Sequence, residues 1–308
     1  MRLERLITLG VVNPVRRALD RLPALGLRRP PFDRTLPILM YHSISDDAET
    51  GVAPYYRTCT APRVFAEQMA LLKAAGYRAT TLSEGLAALA TGSEARQSAS
   101  ADSLTPAAQS STRNSRHVAL TFDDGFRDFA TRALPVLREH GFRATVFLPT
   151  AFIGETPCRF KKRECLSWGE VGELHQAGIE IGSHTVTHPK LADLSWSAIE
   201  TEIRESKLAI ETRLSFPVRT FAYPYAYPQM DRIYIARLKQ LLRDAGYEAC
   251  VTTEIGTARS GDDVLGLKRL PVNNCDDGAL LRAKLEGAYD WLRFFQANIK
   301  RFQSRPRR

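Results

Sequence analysis

Four times along the chain, a helix-like run of hydrophobic positions ends at a glycine and continues into a β-rich run. The four stretches are LLKAAGYRATT, LREHGFRATVF, LHQAGIEIGSH and LLRDAGYEACVTT, with Gly76, Gly141, Gly178 and Gly246 at the junctions. Glycine readily takes the left-handed conformation that ends a helix, so each junction predicts a helix followed by a strand. Four such junctions predict an alternating α/β chain with a largely parallel sheet.

The same alternation extends over most of the chain. Within the helix predicted over 196–214, Ile199, Ile203 and Ile210 keep the three- to four-residue spacing of an amphipathic helix. The pattern fits a doubly wound sheet and a barrel equally well. The predicted strands are 36–41, 77–81, 117–122, 144–149, 179–183, 219–223, 248–252 and 266–272, and the predicted helices are 63–75, 83–90, 127–140, 168–177, 196–214, 231–245 and 277–300.

One segment differs in composition from the rest of the chain. Residues 92–116 are rich in Ser, Ala, Thr and Gln, and Leu104 is their only large aliphatic residue. Such a segment buries too little apolar surface to offset the entropy of ordering it, so we expect a disordered insertion in a loop. Elsewhere the 44% hydrophobic content of the 308 residues supports one folded domain, over 35–290.

The net charge of +9 is concentrated at the two ends of the sequence. Residues 1–34 contain eight Arg and three acidic residues, and residues 291–308 contain six Lys or Arg and no acidic residue. With +5 and +6 at the ends, residues 35–290 carry −2, so we expect no nucleic-acid partner for the folded part. The basic ends favour peripheral contact with an anionic membrane, and solubilising tails are the alternative.

The amino-terminal segment also bears on location. Its apolar stretch LITLGVV is too short to cross a membrane, and no small-residue cleavage site follows it. Five scattered cysteines in a chain of this size are typical of a reduced compartment. We therefore expect a cytoplasmic protein, peripheral at the inner membrane surface, with a short signal peptide as the alternative. Residues 1–27 would form a basic amphipathic helix whose apolar side carries Leu3, Leu6, Ile7 and Leu9.

Two short motifs carry the residues most suited to chemistry. In VALTFDDGF, Asp123 and Asp124 follow a predicted strand, and in IEIGSHTVTHP, His184 and His188 follow another. On a helical turn, an i, i+4 spacing places two imidazoles on one face, and a carboxylate completes the ligand set of a catalytic zinc site. The adjacent aspartate would then be free to accept a proton from a water molecule whose pKa the metal has lowered. Alone, Asp-Asp-Gly is typical of a turn and the histidine pair of a helix surface; together they favour a metal site.

Other strand ends carry comparable groups. His42 ends the run LPILMY, the cluster YPYAYP ends RTFA, and Asn273 and Asn274 end LKRLPV. In a parallel barrel, loops at the carboxyl ends of the strands meet at one mouth. We therefore expect these groups to face the two motifs.

These motifs resemble those of the polysaccharide deacetylase family, also called the NodB homology domain or carbohydrate esterase family 4. TFDDG and SHTVTHP match its first two motifs, FAYPYAYP and RLPVNN resemble the next two more loosely, and the similarity spans about residues 36 to 275. The resemblance implies a distorted (β/α)7-type barrel of the NodB homology fold that removes N-acetyl groups, or in some members O-acetyl groups, from sugars.

The resemblance also implies roles for particular residues. Asp123 would be the general base, and Asp124, His184 and His188 would ligate a divalent ion, with zinc the expected one. The backbone N–H of Tyr225 would stabilise the oxyanion, and Pro224 and Tyr225 would line the sugar groove at the end of the third motif.

The sequence departs from the family pattern in two places. Ala222 stands where many members have an arginine that orients the base, and Arg269 on a neighbouring strand end is our candidate replacement. No histidine follows His188, so the family's late histidine acid is absent. The segment LMYHSI resembles the circularly permuted members similar to poly-N-acetylglucosamine deacetylases, and makes His42 the expected acid.

The sequence thus predicts a metal-dependent hydrolase of carbon–nitrogen bonds other than peptide bonds. Its substrate would be a carbohydrate, namely a polysaccharide or lipid-linked glycan that contains N-acetylhexosamine. Two alternatives stay open: a catalytically degenerate carbohydrate-binding protein, and an amidase that uses the same scaffold on small amides.

Overall fold

Short strands and helices alternate along the chain. The computed structural model describes residues 3–20, 34–97 and 116–296. Within these ranges the strands are β1 (Thr35–Leu36), β2 (Ile38–Tyr41), β3 (Tyr77–Thr80), β4 (Arg116–Phe122), β5 (Thr145–Leu148), β6 (Arg159–Phe160), β7 (Arg163–Glu164), β8 (Glu180–Ser183), β9 (Thr220–Ala222), β10 (Ala249–Ile255), β11 (Ala258–Arg259) and β12 (Leu267–Pro271). The α-helices there are α1 (Leu3–Ile7), α2 (Asn13–Asp20), α3 (Pro62–Ala74), α4 (Leu82–Gln97), α5 (Leu134–His140), α6 (Trp168–Gln176), α7 (Trp196–Leu214), α8 (Arg232–Asp244) and α9 (Gly278–Leu285).

Seven of the strands form a closed parallel ring. Their order is β2, β12, β10, β9, β8, β5, β4 and back to β2, while β3 pairs with the first residues of β4. Closure depends on β2, in which Leu39 lies opposite Leu270 on one side and Leu120 on the other. The predicted (β/α)7-type barrel is therefore confirmed, and the doubly wound sheet is excluded.

Glycine ends the helices where the sequence predicts it. The four junction glycines have φ between 66° and 82°. At Gly141, which follows α5, the N–H donates to the carbonyl of Arg138 and the next N–H donates to Leu137. This arrangement satisfies carbonyls that the end of a helix leaves unpaired, and it directs the chain into β5.

The observed elements differ from the predicted ones at a few points. The helix predicted over 127–140 begins with a π-helical turn, Phe129–Ala133, and the one predicted over 277–300 is interrupted, since α9 ends at Leu285 and residues 292–296 are helical again. The hairpin β6–β7 was not predicted, since two-residue strands show no periodicity. At the predicted insertion 92–116, α4 continues to Gln97 and β4 begins at Arg116, and residues 98–115 lie outside the described residues.

A cluster of small and aliphatic side chains fills the inside of the ring. Phe147 of β5 is buried there and lies against β8 at Gly182, where an added Cβ would be 2.5 Å from two carbons of the Phe147 ring. The Leu82 N–H of α4 donates to the Thr145 hydroxyl, which holds this helix at the start of β5. The cluster consists of Leu36, Ile38, Leu82, Leu89, Ala119, Phe147, Ala222, Ala249, Val251, Ala258 and Leu267.

Among the described residues, the structure has no helix of sufficient length and hydrophobicity to span a bilayer.

Gly182 is expected to be essential for packing inside the ring. Gly182→Ala would force its Cβ against the Phe147 ring and to within 2.7 Å of the Thr220 hydroxyl. We expect it to lower the free energy of unfolding by about 1–3 kcal/mol, measured by chemical denaturation. Gly172→Ala in α6 is the matched control, because its nearest contact would be 3.8 Å away and alanine favours helix by up to about 1 kcal/mol. Equal stability of the two variants would contradict this account.

Candidate metal and catalytic site

The carboxyl ends of the parallel strands bring together most of the predicted site residues. His42 follows β2, the aspartates follow β4, and His184 follows β8. Arg269 lies within β12, and in the ring β2 stands between β12 and β4. Arg269 and Asp123, which are 146 positions apart in the sequence, therefore meet at one mouth.

Asp124, His184 and His188 form a buried cluster with the composition of a metal site. One possible ligand atom from each residue lies within 4.8 Å of the other two. The Asp124 Oδ1 atom is 3.2 Å from the Nε2 atom of His188 and 3.7 Å from that of His184. A carboxylate with two imidazoles is the ligand set of catalytic zinc, which keeps further positions for water and substrate.

The local fold presents the two histidines through a loop and not through the helical turn expected from their spacing. Thr185 and His188 both have left-handed backbones, with φ of 70° and 54°. The Glu202 carboxylate of α7 accepts hydrogen bonds from the N–H groups of Val186 and Thr187, at 2.8 and 2.9 Å. The two imidazoles converge as predicted, but the helical reason for it was wrong.

The hydrogen bonds around the cluster leave metal-binding atoms available. The Nδ1 atom of His184 lies 2.7 Å from the Ala222 carbonyl and donates to it, so Nε2 carries the lone pair. The Asp124 Oδ1 atom is buried without a hydrogen-bond partner. A buried carboxylate oxygen in this state is costly unless a cation binds it, so the three residues fit a divalent ion.

The charge states of the cluster agree with this assignment. Burial lowers the pKa of His184 to about 3, which keeps its imidazole neutral, although the Asp123 carboxylate opposes this shift. Burial alone would raise the pKa of Asp124, but the neighbouring His188 imidazole and nearby positive charges, including Lys161, hold it far below its usual value. A neutral imidazole and an ionised carboxylate are the forms that bind a metal ion.

Asp123 is held by a bidentate ion pair inside the barrel. The Arg269 guanidinium donates to both carboxylate oxygens, from Nη1 at 2.7 Å and from Nη2 at 2.8 Å. Its Nε atom donates to the Thr252 carbonyl at 2.9 Å, and the arginine side chain is fully buried. Burial would raise the pKa of Asp123, but the Arg269 charge and neighbouring imidazoles outweigh it, so the pKa lies below its usual value. The structure thus places Arg269 beside the predicted base.

His42 faces the same carboxylate. Its Nε2 atom is 3.9 Å from the Asp123 Oδ2 atom, and its side chain is mostly buried. Burial lowers the pKa of His42 from its usual 6.5, while the carboxylates of Asp123 and Asp124 oppose this effect. His42 therefore lies beside Asp123 at the mouth.

The loop after β9 places Tyr225 over the metal cluster. The Tyr225 ring centroid is 4.5 Å from that of His188, and the residue is 43% exposed with φ of 54°. Within the described part of the chain, its backbone N–H donates to no acceptor. Pro224 is buried, so of the two predicted groove residues only Tyr225 offers surface to a ligand.

Lys161 is a site residue that the sequence did not reveal. It lies at the turn of the β6–β7 hairpin, and its Nζ atom is 3.0 Å from the Asp124 Oδ2 atom. The same ammonium group lies 5.4 Å from the Tyr225 ring centroid and 4.6 Å from that of Phe160. The stretch FKKRE carries no pattern that distinguishes this lysine from an ordinary surface residue.

One predicted contribution to the mouth was wrong. The Asn273 side chain is buried and donates to the carbonyls of Pro54 and Arg57, at 2.9 and 3.0 Å. The Asn274 side chain accepts from the Ala61 N–H at 3.2 Å. Both asparagines therefore hold the loop that follows β2 and do not face the metal cluster.

Part of the chain matches a family of known proteins. Residues 110–250 match the polysaccharide deacetylase family. Over this segment the chain is similar to polysaccharide deacetylases. The matched segment contains the Asp124, His184 and His188 cluster together with Asp123 and Tyr225, while His42 and Arg269 lie outside it.

Individual family members resemble the chain over different lengths. It is 28% identical over 251 residues to the Bacillus subtilis protein named "Putative polysaccharide deacetylase YxkH", which covers 82% of this chain and 76% of the relative. It is 33% identical over 116 residues to the chitooligosaccharide deacetylase of Azorhizobium caulinodans, which covers 37% of this chain and 50% of the relative. The solved structure of Streptococcus pyogenes deacetylase PplD in complex with acetate is 26% identical, with a TM-score of 0.62, and covers 82% of this chain and 98% of that one.

Metal binding is the first property that the cluster predicts. Metal-free protein titrated with Zn²⁺ in a calorimeter should bind one ion per chain. His184→Ala or His188→Ala should weaken binding by more than about 100-fold, because loss of a ligand should exceed the roughly 10–100-fold cost of losing a supporting residue. His175→Ala is the control, because this histidine does not belong to the metal-type cluster. It lies at the end of α6, where its ring centroid is 3.7 Å from that of Phe216. A wild-type protein that binds no divalent ion would remove the metal assignment.

Proposed function

We propose that this chain is a polysaccharide deacetylase, a metal-dependent hydrolase that removes N-acetyl groups from glycans containing N-acetylhexosamine. The observation that carries the proposal is the pairing of two buried carboxylates with different partners. Asp124 lies with two histidines in a metal-type cluster, and Asp123 next to it is bound by Arg269. A chitooligosaccharide deacetylase among the relatives supports this class of substrate.

The metal-type cluster would bind the ion and the acetyl group. Asp124, His184 and His188 would hold the ion, and zinc fits this mixed nitrogen and oxygen set. When bound, a divalent ion supplies Lewis acidity that polarises the acetyl carbonyl and makes a water molecule more acidic. Lys161 balances part of the charge of Asp124 and leaves its Oδ1 atom for the ion.

Asp123 would act as the general base. It is the carboxylate of the pair that is not in the metal-type cluster, and its low pKa keeps it ionised and able to accept a proton. The two Arg269 hydrogen bonds fix the plane of the carboxylate, so Arg269 is a positioning residue. A positioned base contributes roughly 10²–10⁴-fold to the rate.

The Tyr225 N–H would stabilise the negative charge that develops on the acetyl oxygen. The Tyr225 ring lies against the His188 ring, and the Tyr225 N–H has no acceptor within the described part of the chain. A left-handed backbone at Tyr225 is strained for a residue with a side chain, and such strain is common where a backbone group serves a site. A preorganised donor of this kind lowers the barrier because it needs no rearrangement during the reaction.

His42 would donate the proton to the departing amine nitrogen. It lies at the same mouth, 3.9 Å from Asp123, where the Asp123 and Asp124 carboxylates oppose the lowering of its pKa by burial. Ala222 and the missing late histidine no longer favour a degenerate binding protein, because Arg269 contacts Asp123 and His42 lies 3.9 Å from the same carboxylate. An amidase acting on small substrates is the remaining alternative, and substrate comparison distinguishes it.

Asp123→Asn should lower kcat for acetate release from N-acetylglucosamine oligomers by about 10²–10⁴-fold. The amide keeps the shape of the carboxylate but does not accept the proton. Acetate is measured by an enzyme-coupled assay, and Zn²⁺ binding and thermal unfolding serve as controls for an intact fold.

Arg269→Lys keeps the positive charge but loses the two-pronged geometry. It should lower kcat with little change in KM, and should retain more activity than Arg269→Met.

Two results would contradict the proposed function. Undiminished turnover in Asp123→Asn would exclude the mechanism, and faster cleavage of small amides than of sugars would favour the amidase.

His42→Ala should separate proton donation from the other steps. We expect a fall in kcat of about 10²–10⁴-fold on N-acetyl sugars, because the amine leaves only when protonated. Hydrolysis of p-nitrophenyl acetate should fall far less, since that leaving group departs as an anion. Equal losses on both substrates would show that His42 does not act as the acid.

A further inference from the structure

The helical segment 3–20 buries two polar side chains against the protein and exposes four of its aliphatic side chains. Thr8 is fully buried and Asn13 is 8% exposed. The π-helical turn Thr8–Val12 aligns these two residues, and the Asn13 N–H donates to the Thr8 carbonyl. The exposed aliphatic side chains are Leu3 (68%), Leu6 (45%), Val11 (57%) and Val15 (52%). A helix on a soluble protein normally has the opposite arrangement.

This segment is docked on the carboxyl-terminal part of the chain. The Trp291 Nε1 atom donates to the Thr8 hydroxyl at 3.0 Å, and Arg5 forms an ion pair with Asp277 at the start of α9. Arg16 donates to the carbonyls of Gly287 and Glu286. The two regions that carry the basic ends of the sequence are therefore neighbours in the fold.

Residues 291–296, the partner segment that contacts segment 3–20 through Trp291, also expose large apolar side chains. Phe294 is 62% exposed and Phe295 is 57% exposed, within one helical turn of Trp291. We call the surface formed by Leu3, Leu6, Val11, Val15, Phe294 and Phe295 the terminal surface. Six large hydrophobic side chains exposed on two packed segments indicate an interaction site.

The charge of the adjoining sequence favours an anionic partner. Residues 297–308 directly follow the partner segment and contain five Lys or Arg with no acidic residue. Residues 21–33, which follow α2, contain three Arg and one Asp. A second copy of the chain would bring like charges together, whereas an anionic lipid surface attracts them and accepts apolar side chains.

The partner segment, which carries Phe294 and Phe295, is linked to the loop at Tyr225 through three hydrogen bonds. The Gln296 side chain accepts from the Ile255 N–H at 3.0 Å and donates to the Thr253 carbonyl at 2.8 Å. The Thr253 hydroxyl in turn donates to the Tyr225 carbonyl at 2.8 Å. A bilayer at the terminal surface would therefore lie near the loop that covers the metal-type cluster.

We propose that the terminal surface docks on an anionic lipid bilayer and holds the catalytic mouth close to the membrane. The basic flanks supply electrostatic attraction, and the six exposed side chains insert among the lipids. Glycans carried by membrane-bound lipids would then be within reach of the site, a consequence that rests on the proposed function. The docking itself does not.

The test uses the full chain and vesicles of two compositions in a sedimentation assay. We expect binding to vesicles of phosphatidylcholine and phosphatidylglycerol in equal parts to be at least about tenfold tighter than to phosphatidylcholine alone, and to weaken as salt is raised. Leu3→Gln/Leu6→Gln and Phe294→Gln/Phe295→Gln should each weaken it by at least about tenfold. Leu208→Gln on α7, where the leucine is 56% exposed, is the matched control and should bind like wild type.

Three results would overturn the proposal. The first is equal binding to both vesicle types, and the second is undiminished binding by both double variants. The third is a lipid-free dimer that these variants dissociate, because that would make a second copy the partner. Acetate release from soluble oligomers by the double variants should equal wild type, so loss of lipid binding is distinguishable from failure of the deacetylase assignment.

Discussion

The buried ion pair between Asp123 and Arg269 is the interaction on which the site depends. Both side chains lie inside the barrel, and each would be strongly destabilising there without the other. The arginine also donates to the Thr252 carbonyl, so its position is fixed by the backbone as well as by the carboxylate. This pair keeps the base ionised and oriented, and it leaves the neighbouring Asp124 to serve a different purpose.

The same balance of charge extends to the second carboxylate. Two adjacent buried aspartates would repel each other unless cations accompanied them. Arg269 accompanies Asp123, and Lys161 accompanies one oxygen of Asp124, which leaves the Oδ1 atom facing the imidazoles of His184 and His188. The polypeptide thus balances the charge of both carboxylates except at the Asp124 Oδ1 atom. The left-handed backbones at Asp124, His188 and Tyr225 indicate that the fold overdetermines these positions.

Much of the fold could be predicted from local signals, since glycine junctions and strand patterns depend on neighbouring residues. The eight predicted strands all occur, and Asp123, Asp124, His184 and His188 converge as expected. Ring closure and the approach of Arg269 to Asp123 depend on pairing between distant strands, which composition and periodicity do not encode. Lys161 was missed because a two-residue turn has no pattern, and Asn273 was misassigned because strand-end position alone does not tell a loop anchor from a ligand.

The position of β2 in the ring has a consequence for how the protein is made. This strand leaves the ribosome first among those of the ring, yet one of its two partners is β12, the last to emerge. Until residues 267–271 are synthesised, the nascent sheet keeps an unsealed edge, and Asp123 lacks its arginine. The Asp123–Arg269 ion pair therefore forms only after β12 is synthesised, in the step that seals the barrel, and a chain that stops before β12 contains Asp124, His184 and His188 but lacks Arg269.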